Sequence, residues 1–314
     1  KGKRASYQVS VNGKNISYTF ARAGEEARKI ASALKGYNLP EHSHVALLSK
    51  NCAHWILSDL AIMMAGCVSI PIYPTLNADS VNQILFHSES KAIIIGKLDK
   101  FESQKTGIPD IHKISVGLYG ENEGDLWEDI VLKEKKIEQV YIQKPDDLIT
   151  IIYTSGTTGT PKGVMHSVNN FMVTTHTGTT MFSLPNHGKL FSYLPLAHVA
   201  ERLLTGISGI VSGAEFSFPE SLDTFASDLE KCQPHLFFAV PRIWTKFQEK
   251  ILSSIPQKKL NLLLKIPFIN TILKKKLKQK LRLSNAKIIV SGSAPLSAGL
   301  IKRYQNIGIT LLQQ

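Results

Sequence analysis

The chain alternates short apolar runs, rich in β-branched residues, with longer segments of helical period. The runs HVALLSK (44–50), VSIPIY (68–73) and KAIIIG (91–96) are typical of buried strands. Between them lie AHWILSDLAIMMAG (53–66) and ADSVNQILFHSES (78–90), which have helical spacing. Strands that alternate with helices predict βαβ units, because a parallel pair needs a long crossover connection. We therefore expect an α/β fold with mostly parallel sheets.

The same alternation continues in the second half of the chain. Strands are predicted at 148–153, 189–196, 214–218, 235–240 and 286–292, and helices from about 198 and at 221–232 and 297–306. Residues 100–147 are more polar and less periodic, so we place a boundary between two βαβ-rich portions, 1–147 and 148–314. The last run, IGITLLQQ (307–314), has the composition of a core strand. A core strand at the chain end predicts a domain that has been cut short.

One loop combines small residues with many hydroxyls. Within IIYTSGTTGTPKG (151–163), five of the seven positions from Thr154 to Thr160 carry a hydroxyl. A strand, then such a loop, then a helix from about Ser167 brings backbone N–H groups and hydroxyls near an anion, and Lys162 adds a positive charge. The loop is not a Walker A loop, which would need a Ser or Thr at Gly163. It predicts a phosphate site of another class, with a plain surface turn as the alternative.

At this point several motifs together resemble a known family. YTSGTTGTPKGV (153–164) resembles the phosphate-binding signature of the adenylate-forming enzymes, such as acyl-CoA synthetases, aryl-CoA ligases and luciferases. NCAHWILSDLAIMMAGCVSIPIYPT (51–75) resembles the family's first subdomain, and VSGSAPL (290–296) resembles its adenine-contacting strand end. SYLPLAHVAER (192–202) and AVPRIW (239–244) resemble the long-chain fatty acyl-CoA synthetase branch. The motifs span almost the whole chain in the family's order.

The resemblance implies a truncated N-terminal domain of an acyl-CoA synthetase-like fold. Its reaction uses ATP and Mg²⁺ to join a fatty acid to AMP, and then transfers the acyl group to coenzyme A as co-substrate. By matched position, the ATP phosphates would be held by Thr154, Ser155, Gly156, Thr157, Thr158, Gly159 and Lys162, and adenine would lie beside Gly292, Ser293, Ala294 and Pro295. The family's Mg²⁺-binding Glu and its small domain with a catalytic Lys would follow Gln314. The chain alone is therefore expected to be inactive.

The segment LPLAHVAER places His198 near the start of a helix. From the residues alone, His198 and Glu201 share a helix face and can simply pair with each other. The resemblance places this segment beside the acyl pocket and the adenylate. We therefore predict that His198 shapes or gates access of the carboxylate. It needs no general-base role, because a carboxylate substrate is already ionised at neutral pH.

Two strand ends also have a functional and a structural interpretation. The resemblance makes Val240, Arg242 and Trp244 a wall of the fatty-acyl tunnel, whereas the alternative is packing at a helix start with Pro241 in the first turn. Gly292–Pro295 would border adenine, and the same residues also suit a turn into a helix capped by Ser297.

Positive charge is concentrated in one segment. The chain has a formal charge of +12, and between Lys246 and Lys287 twelve Lys and Arg stand against one acid, Glu249. Within it, LNLLLKIPFINTILKKKLKQKLRL (260–283) mixes apolar and basic residues at helical spacing, which suits an anionic bilayer surface. The alternative is a helix packed on the domain with solvated lysines. We predict peripheral membrane contact through 258–287 and no nucleic-acid partner, since no recognised motif accompanies the lysines.

Compartment and substrate follow from weaker signals. The sequence shows no run that would span a bilayer and no signal pattern at its start, so we expect a cytoplasmic protein that is at most peripheral at a membrane. Cys52, Cys67 and Cys232 lie far apart and are expected to be buried, reduced thiols. The leading hypothesis is a long-chain fatty acid–CoA ligase. The alternatives are an adenylate-forming ligase for a medium-chain or aryl acid, and a non-catalytic module that binds nucleotide or docks on membranes.

Overall fold

A computed structural model describes residues 5–11, 14–154, 161–182, 185 and 187–313 of the chain. Contacts between residues divide the protein into two compact units. The first unit contains residues 1–181 and 192–211, and the second contains 182–191 and 212–314.

The first unit is built from strands and helices that alternate along the chain. Its strands are β1 (Ala5–Val11), β2 (Lys14–Thr19), β3 (His44–Leu48), β4 (Val68–Ile72), β5 (Ala92–Ile95), β6 (His112–Ser115), β7 (Asp125–Leu126), β8 (Leu148–Thr154) and β9 (Lys162–Ser167). Its helices are α1 (Phe20–Gly36), α2 (Ala53–Met64), α3 (Ala78–His87), α4 (Phe101–Gln104), α5 (Trp127–Lys133), α6 (Val168–Phe182), α7 (Val199–Glu201) and α8 (Ser208–Val211). Between α7 and α8 the chain forms a π-helical segment, Arg202–Ile207.

The main sheet of this unit has the order β7-β6-β5-β3-β4-β8-β9. Its described neighbours are parallel except β8 and β9, which are antiparallel. Strands β4 and β5 are buried along their whole length, as apolar strands covered on both faces are. The prediction of a mostly parallel α/β fold is confirmed. Because β8 pairs with β4, the first unit extends past residue 147.

The start of the chain was not predicted. Strands β1 and β2 form an antiparallel hairpin, and α1 follows directly. Thr19 caps α1 by accepting a hydrogen bond from the Arg22 N–H at 3.2 Å. Helix α1 buries Ala23, Ala27 and Ile30, which recur at the spacing of one helix face.

The second unit repeats the alternation with shorter strands. Its strands are β10 (Lys189–Phe191), β11 (Glu215–Ser217), β12 (Leu236–Ala239), β13 (Ile288–Ser291) and β14 (Leu312–Gln313), in the parallel order β14-β13-β12-β10-β11. Its helices are α9 (Phe225–Cys232), α10 (Pro241–Ser254), α11 (Gln257–Leu263), α12 (Ile269–Lys280) and α13 (Ala298–Asn306).

Two predictions fail in this unit. The strand predicted at 189–196 ends at Phe191. The core strand predicted at 307–314 is, in its described part, only Leu312–Gln313, and both residues are exposed. Its apolar residues Ile309 and Leu311 are buried just before that strand begins. Hydrophobic content therefore predicted the burial but placed the strand wrongly.

The cysteines agree with expectation. Cys52, Cys67 and Cys232 are free and buried, which confirms the prediction of reduced thiols. Among the helices that the structure describes, none is both long enough and apolar enough to cross a membrane.

Candidate functional site

The predicted phosphate loop connects two antiparallel strands, β8 and β9. Thr154 pairs with Lys162 at the end of the ladder that faces the loop, and both side chains are exposed there. The candidates Ser155, Gly156, Thr157, Thr158 and Gly159 lie outside the described residues. Helix α6 begins at Val168, as expected, but all of β9 precedes it. The expectation that the loop leads straight into a helix is therefore wrong. Six strand residues place the start of α6 about 20 Å from the loop, too far for its N–H groups to bind the same anion.

Packing between the two strands holds the hairpin end in place. Gly163 pairs with Tyr153, whose hydroxyl lies 2.7 Å from His87 Nδ1. A Cβ at position 163 would lie only 2.6 Å from the Ile151 Cγ2 atom. Only glycine lets β9 approach β8 so closely, so this glycine serves the pairing that positions Thr154 and Lys162.

The segment before His198 is held by one side chain. Asn51 Nδ2 donates to the Leu194 carbonyl at 2.6 Å, and Asn51 Oδ1 accepts from the Leu196 N–H at 3.0 Å. These bonds take up backbone groups that a longer β10 would have used, which explains why β10 ends early. His198 itself is exposed and caps α7, because its Nδ1 accepts a hydrogen bond from the Ala200 N–H at 3.2 Å.

Glu201 turns away from His198 and is fully buried. Its Oε1 accepts a hydrogen bond from the Ser192 hydroxyl at 2.8 Å, so the predicted pair between His198 and Glu201 does not form. Burial raises the pKa of the Glu201 carboxyl to about 8. Hydrogen bonds from Ser192 and Thr205 lower this pKa, but burial has the larger effect. The carboxyl is therefore mostly protonated at neutral pH.

Arg202 connects three elements of the first unit. Its guanidinium donates to both carboxylate oxygens of Asp59 on α2, at 2.9 and 2.6 Å. Its Nη1 donates to the Thr150 hydroxyl on β8 at 2.6 Å. The Trp55 and Phe171 rings lie 5.7 and 5.2 Å from the guanidinium carbon. We call Arg202, Asp59 and Thr150 the arginine clamp.

The arginine clamp was missed by sequence reasoning, although one signal was present. Asp59 is the only acid in helix α2, which is mostly apolar. A carboxylate in a helix that is buried all round needs a charged partner. In the sequence Arg202 is only one member of the LPLAHVAER motif. No local pattern connects it to Asp59, which lies 143 positions away.

The predicted acyl-pocket residues of the second unit differ in exposure. Val240 is half-buried at the start of α10, where Pro241 occupies the first turn as expected, and Arg242 is exposed. Trp244 is completely buried, and its Nε1 donates to the Ala239 carbonyl at 3.3 Å. The Tyr304 hydroxyl donates to the Trp244 carbonyl at 2.6 Å. These are contacts of a core residue, and a role in an acyl tunnel stays a prediction.

The predicted adenine-side residues follow β13. Gly292 is buried, whereas Ser293, Ala294 and Pro295 are exposed. Ser297 caps α13 through a 3.3 Å hydrogen bond from the Leu300 N–H, as expected. Ser293 has a φ of 68°, a left-handed conformation that residues other than glycine seldom adopt. Such conformations occur at turns and helix ends as well as at ligand sites, so a role of these residues beside adenine stays a prediction.

No metal centre is apparent in the described parts of the chain. Among those residues, no group of three or more His, Cys, Asp or Glu side chains is arranged to hold a metal ion.

Comparison with known proteins agrees with this architecture. The family model "AMP-binding enzyme" matches residues 1–314. Long chain acyl-CoA synthetase 5 of Arabidopsis thaliana is 30% identical over 91% of this chain and 49% of its own length. Fatty acyl-CoA synthetase A of Dictyostelium discoideum is 30% identical over 95% of this chain and 48% of its own. The chain thus spans about half the length of these curated relatives.

A solved structure shows the same fold. The anthranilate CoA ligase AuaEII in complex with anthranoyl-AMP superposes with a TM-score of 0.75 at 20% identity. The match covers 95% of this chain and 54% of that one. With the family model matching from end to end, this chain belongs to the AMP-binding enzyme family.

Proposed function

We propose that the whole protein activates a long-chain fatty acid with ATP, first to an acyl-adenylate and then to acyl-CoA. The structural observation behind this proposal is the arginine clamp. Arg202 lies four residues after His198, and its partner Thr150 lies four residues before Thr154 on the same strand. The buried side chain of Arg202 therefore connects the segment of His198 to β8, the strand that leads into the candidate phosphate loop.

The chain's own residues would bind and orient the substrates. Lys162 would place a mobile charge beside the ATP phosphates, and the loop at 155–160 would add hydroxyls and N–H groups. Activation of this kind depends mainly on positioning and on neutralising charge. His198 is proposed to shape the path of the carboxylate. The proposal further places Gly292, Ser293, Ala294 and Pro295 beside adenine, and Val240, Arg242 and Trp244 along the acyl chain.

Magnesium and coenzyme A enter this proposal through the family resemblance alone. Mg²⁺ would neutralise phosphate charge when bound. We assign no described residue to Mg²⁺ or to coenzyme A.

The identity of the carboxylic acid substrate is the more specific part of the proposal. The names of the two curated relatives support a fatty acid, and one of them specifies a long chain. An aryl acid is the main competitor, because an anthranilate ligase has the same fold. The proposal also includes peripheral contact of residues 258–287 with anionic membranes.

Pyrophosphate release by the full-length protein tests the reaction. A panel of long-chain, medium-chain and aryl acids should give the highest kcat/KM with a long-chain acid. A preference for benzoate-type acids would replace the fatty acid by the aryl alternative. No pyrophosphate with any acid would favour a non-catalytic module.

A lysine variant tests the phosphate site directly. Lys162→Ala should weaken ATP binding by about 10- to 100-fold in calorimetry, the size of a charge-assisted hydrogen bond. Lys133→Ala is the matched control, because Lys133 is exposed in α5 and its ion pair within the described residues is with Asp129. Equal ATP affinity of the two variants would contradict the assignment of Lys162.

A further inference from the structure

The turn between α11 and α12 exposes a cluster of large apolar side chains. Phe268 at its apex is 85% exposed. The cluster, which we call the α11–α12 tip, consists of Leu262, Ile266, Phe268, Ile269 and Ile272. Single exposed apolar residues are ordinary on protein surfaces, but a contiguous group marks an interaction site.

The exposed residues of the tip are distinct from the residues of α12 that pack on its own unit. Leu273 and Leu277 are the buried residues of this helix. Ile272 and Lys276 lie one turn apart beside the row of Leu273 and Leu277, and both are exposed. Ile269, at the start of the helix one turn before Leu273, is still 40% exposed. A helix packed on the domain with solvated lysines therefore accounts for the buried leucines but leaves the tip unexplained.

The backbone at the apex is strained. Phe268 has φ 67° and ψ −49°, and the Ile269 N–H donates to the Pro267 carbonyl at 2.8 Å. This is a γ-turn of the rare, strained type. A bulky residue at positive φ costs about 1–3 kcal/mol. Burial within this unit does not offset that cost, because the ring points into solvent.

Exposed lysines flank the tip along the sequence. The exposed lysines nearby in the sequence are Lys258, Lys259, Lys265, Lys275 and Lys276. No acid follows Glu249 anywhere in the sequence. A matching partner must be anionic at its surface and apolar just beneath it, which describes an anionic lipid bilayer. A nucleic acid would satisfy the lysines but leave the five apolar side chains in water.

We propose that the α11–α12 tip docks on an anionic membrane, with Phe268 inserted below the headgroups and the five lysines among the lipid phosphates. This deepens the membrane contact included in the proposed function and rests on that part of it. Each lysine near such a surface and each buried apolar side chain adds favourable free energy, so the two kinds of contact act together.

Vesicle co-sedimentation of the full protein tests the proposal. Vesicles of phosphatidylcholine with 30% phosphatidylserine are compared with pure phosphatidylcholine at low salt. Phe268→Gly should weaken binding to the anionic vesicles by about 10- to 100-fold, the value of one buried large side chain. The variant should still fold, because glycine adopts positive φ without strain.

Matched variants distinguish docking through the tip from non-specific binding to vesicles. Phe86→Gly removes an equally exposed ring, 84% exposed, in the first unit and should leave vesicle binding unchanged. The double variant Lys275→Glu, Lys276→Glu should bind the anionic vesicles much more weakly. Adding 0.5 M salt should likewise weaken vesicle binding by the parent protein. Binding that is equal for Phe268→Gly and Phe86→Gly would overturn the proposal. So would equal binding to neutral vesicles, or capture by single-stranded RNA that depends on the tip.

The ligase proposal fails or survives separately. Pyrophosphate release with the best acid of the panel, measured in the absence of vesicles, needs no membrane, so it reports the reaction alone. A protein that binds vesicles but releases no pyrophosphate would contradict only the ligase proposal. A ligase whose vesicle binding ignores the tip would contradict only the docking proposal.

Discussion

Removing the charge of Asp59 should be one of the most destabilising small changes in the first unit. Arg202 and Asp59 are only 1% and 6% exposed, so Asp59→Asn leaves a guanidinium in the core without a counter-charge. Breaking a buried pair from one side costs about 3–5 kcal/mol. Because a typical domain is stable by about 5–15 kcal/mol, this is a large fraction of the free energy of unfolding.

Hydrogen exchange followed by mass spectrometry is the suitable assay, because it resolves the two units. Amides of α2 and of Arg202–Ile207 should exchange about two to four orders of magnitude faster in Asp59→Asn. The exposed pair between Asp129 and Lys133, at 2.9 Å, gives the matched control. Asp129→Asn should change stability by no more than about 0.5 kcal/mol.

A double variant distinguishes loss of charge balance from loss of packing. Asp59→Leu combined with Arg202→Met removes both charges and should recover most of the stability, since uncharged replacements of a buried pair are often neutral or better. The reasoning is refuted if Asp59→Asn costs as little as Asp129→Asn, or if the double variant is no more stable than the single one.

Two titratable groups should give opposite pH dependences of stability. The pKa of Glu201 is about 8 in the fold and about 4.3 in an unfolded chain. The folded state therefore retains a proton that the unfolded state loses, and stability should fall as pH rises from about 4.5 to 8, by up to about 1.4 kcal/mol per pH unit. Glu201→Gln should remove this slope in urea titrations, and an unchanged slope would contradict it. His54 lies buried between the Tyr18 and Tyr119 hydroxyls, and burial, with a smaller contribution from Arg22, lowers its pKa to about 3. Its unfolded form takes up a proton below about pH 6.5, so stability should fall as pH drops from about 6.5 to 3. His54→Gln should reduce the loss of stability between about pH 6.5 and 3. If the variant loses as much stability as the parent protein over that range, the imidazole is not buried in its neutral form.

Strands β3, β4 and β5 were predicted to within about two residues at each end. Each is a short apolar run between turn residues, and burial on both faces requires that composition. Strand β9 was missed for the opposite reason. Its residues are at best half-buried, so no apolar run marks it, and only the antiparallel pairing with β8 makes it a strand.

The candidate site was predicted in its parts but not in its connections. The hydroxyl-rich loop at 153–163 and the turn at His198 were both identified from the residues and the family resemblance. Their link through Arg202 was not, and neither was the way Asn51 ends β10.

For this protein, local patterns in the sequence determined the parallel α/β architecture, the position of the hydroxyl-rich loop at 153–163 and the basic character of residues 258–287. These features depend on period, turn chemistry and charge, which neighbouring residues define. Tertiary structure alone decided that Arg202 meets Asp59 and Thr150, and that Phe268 is exposed while Leu277 is buried. A buried charge takes its partner from whichever element packs against it, and that element lies far away in the chain.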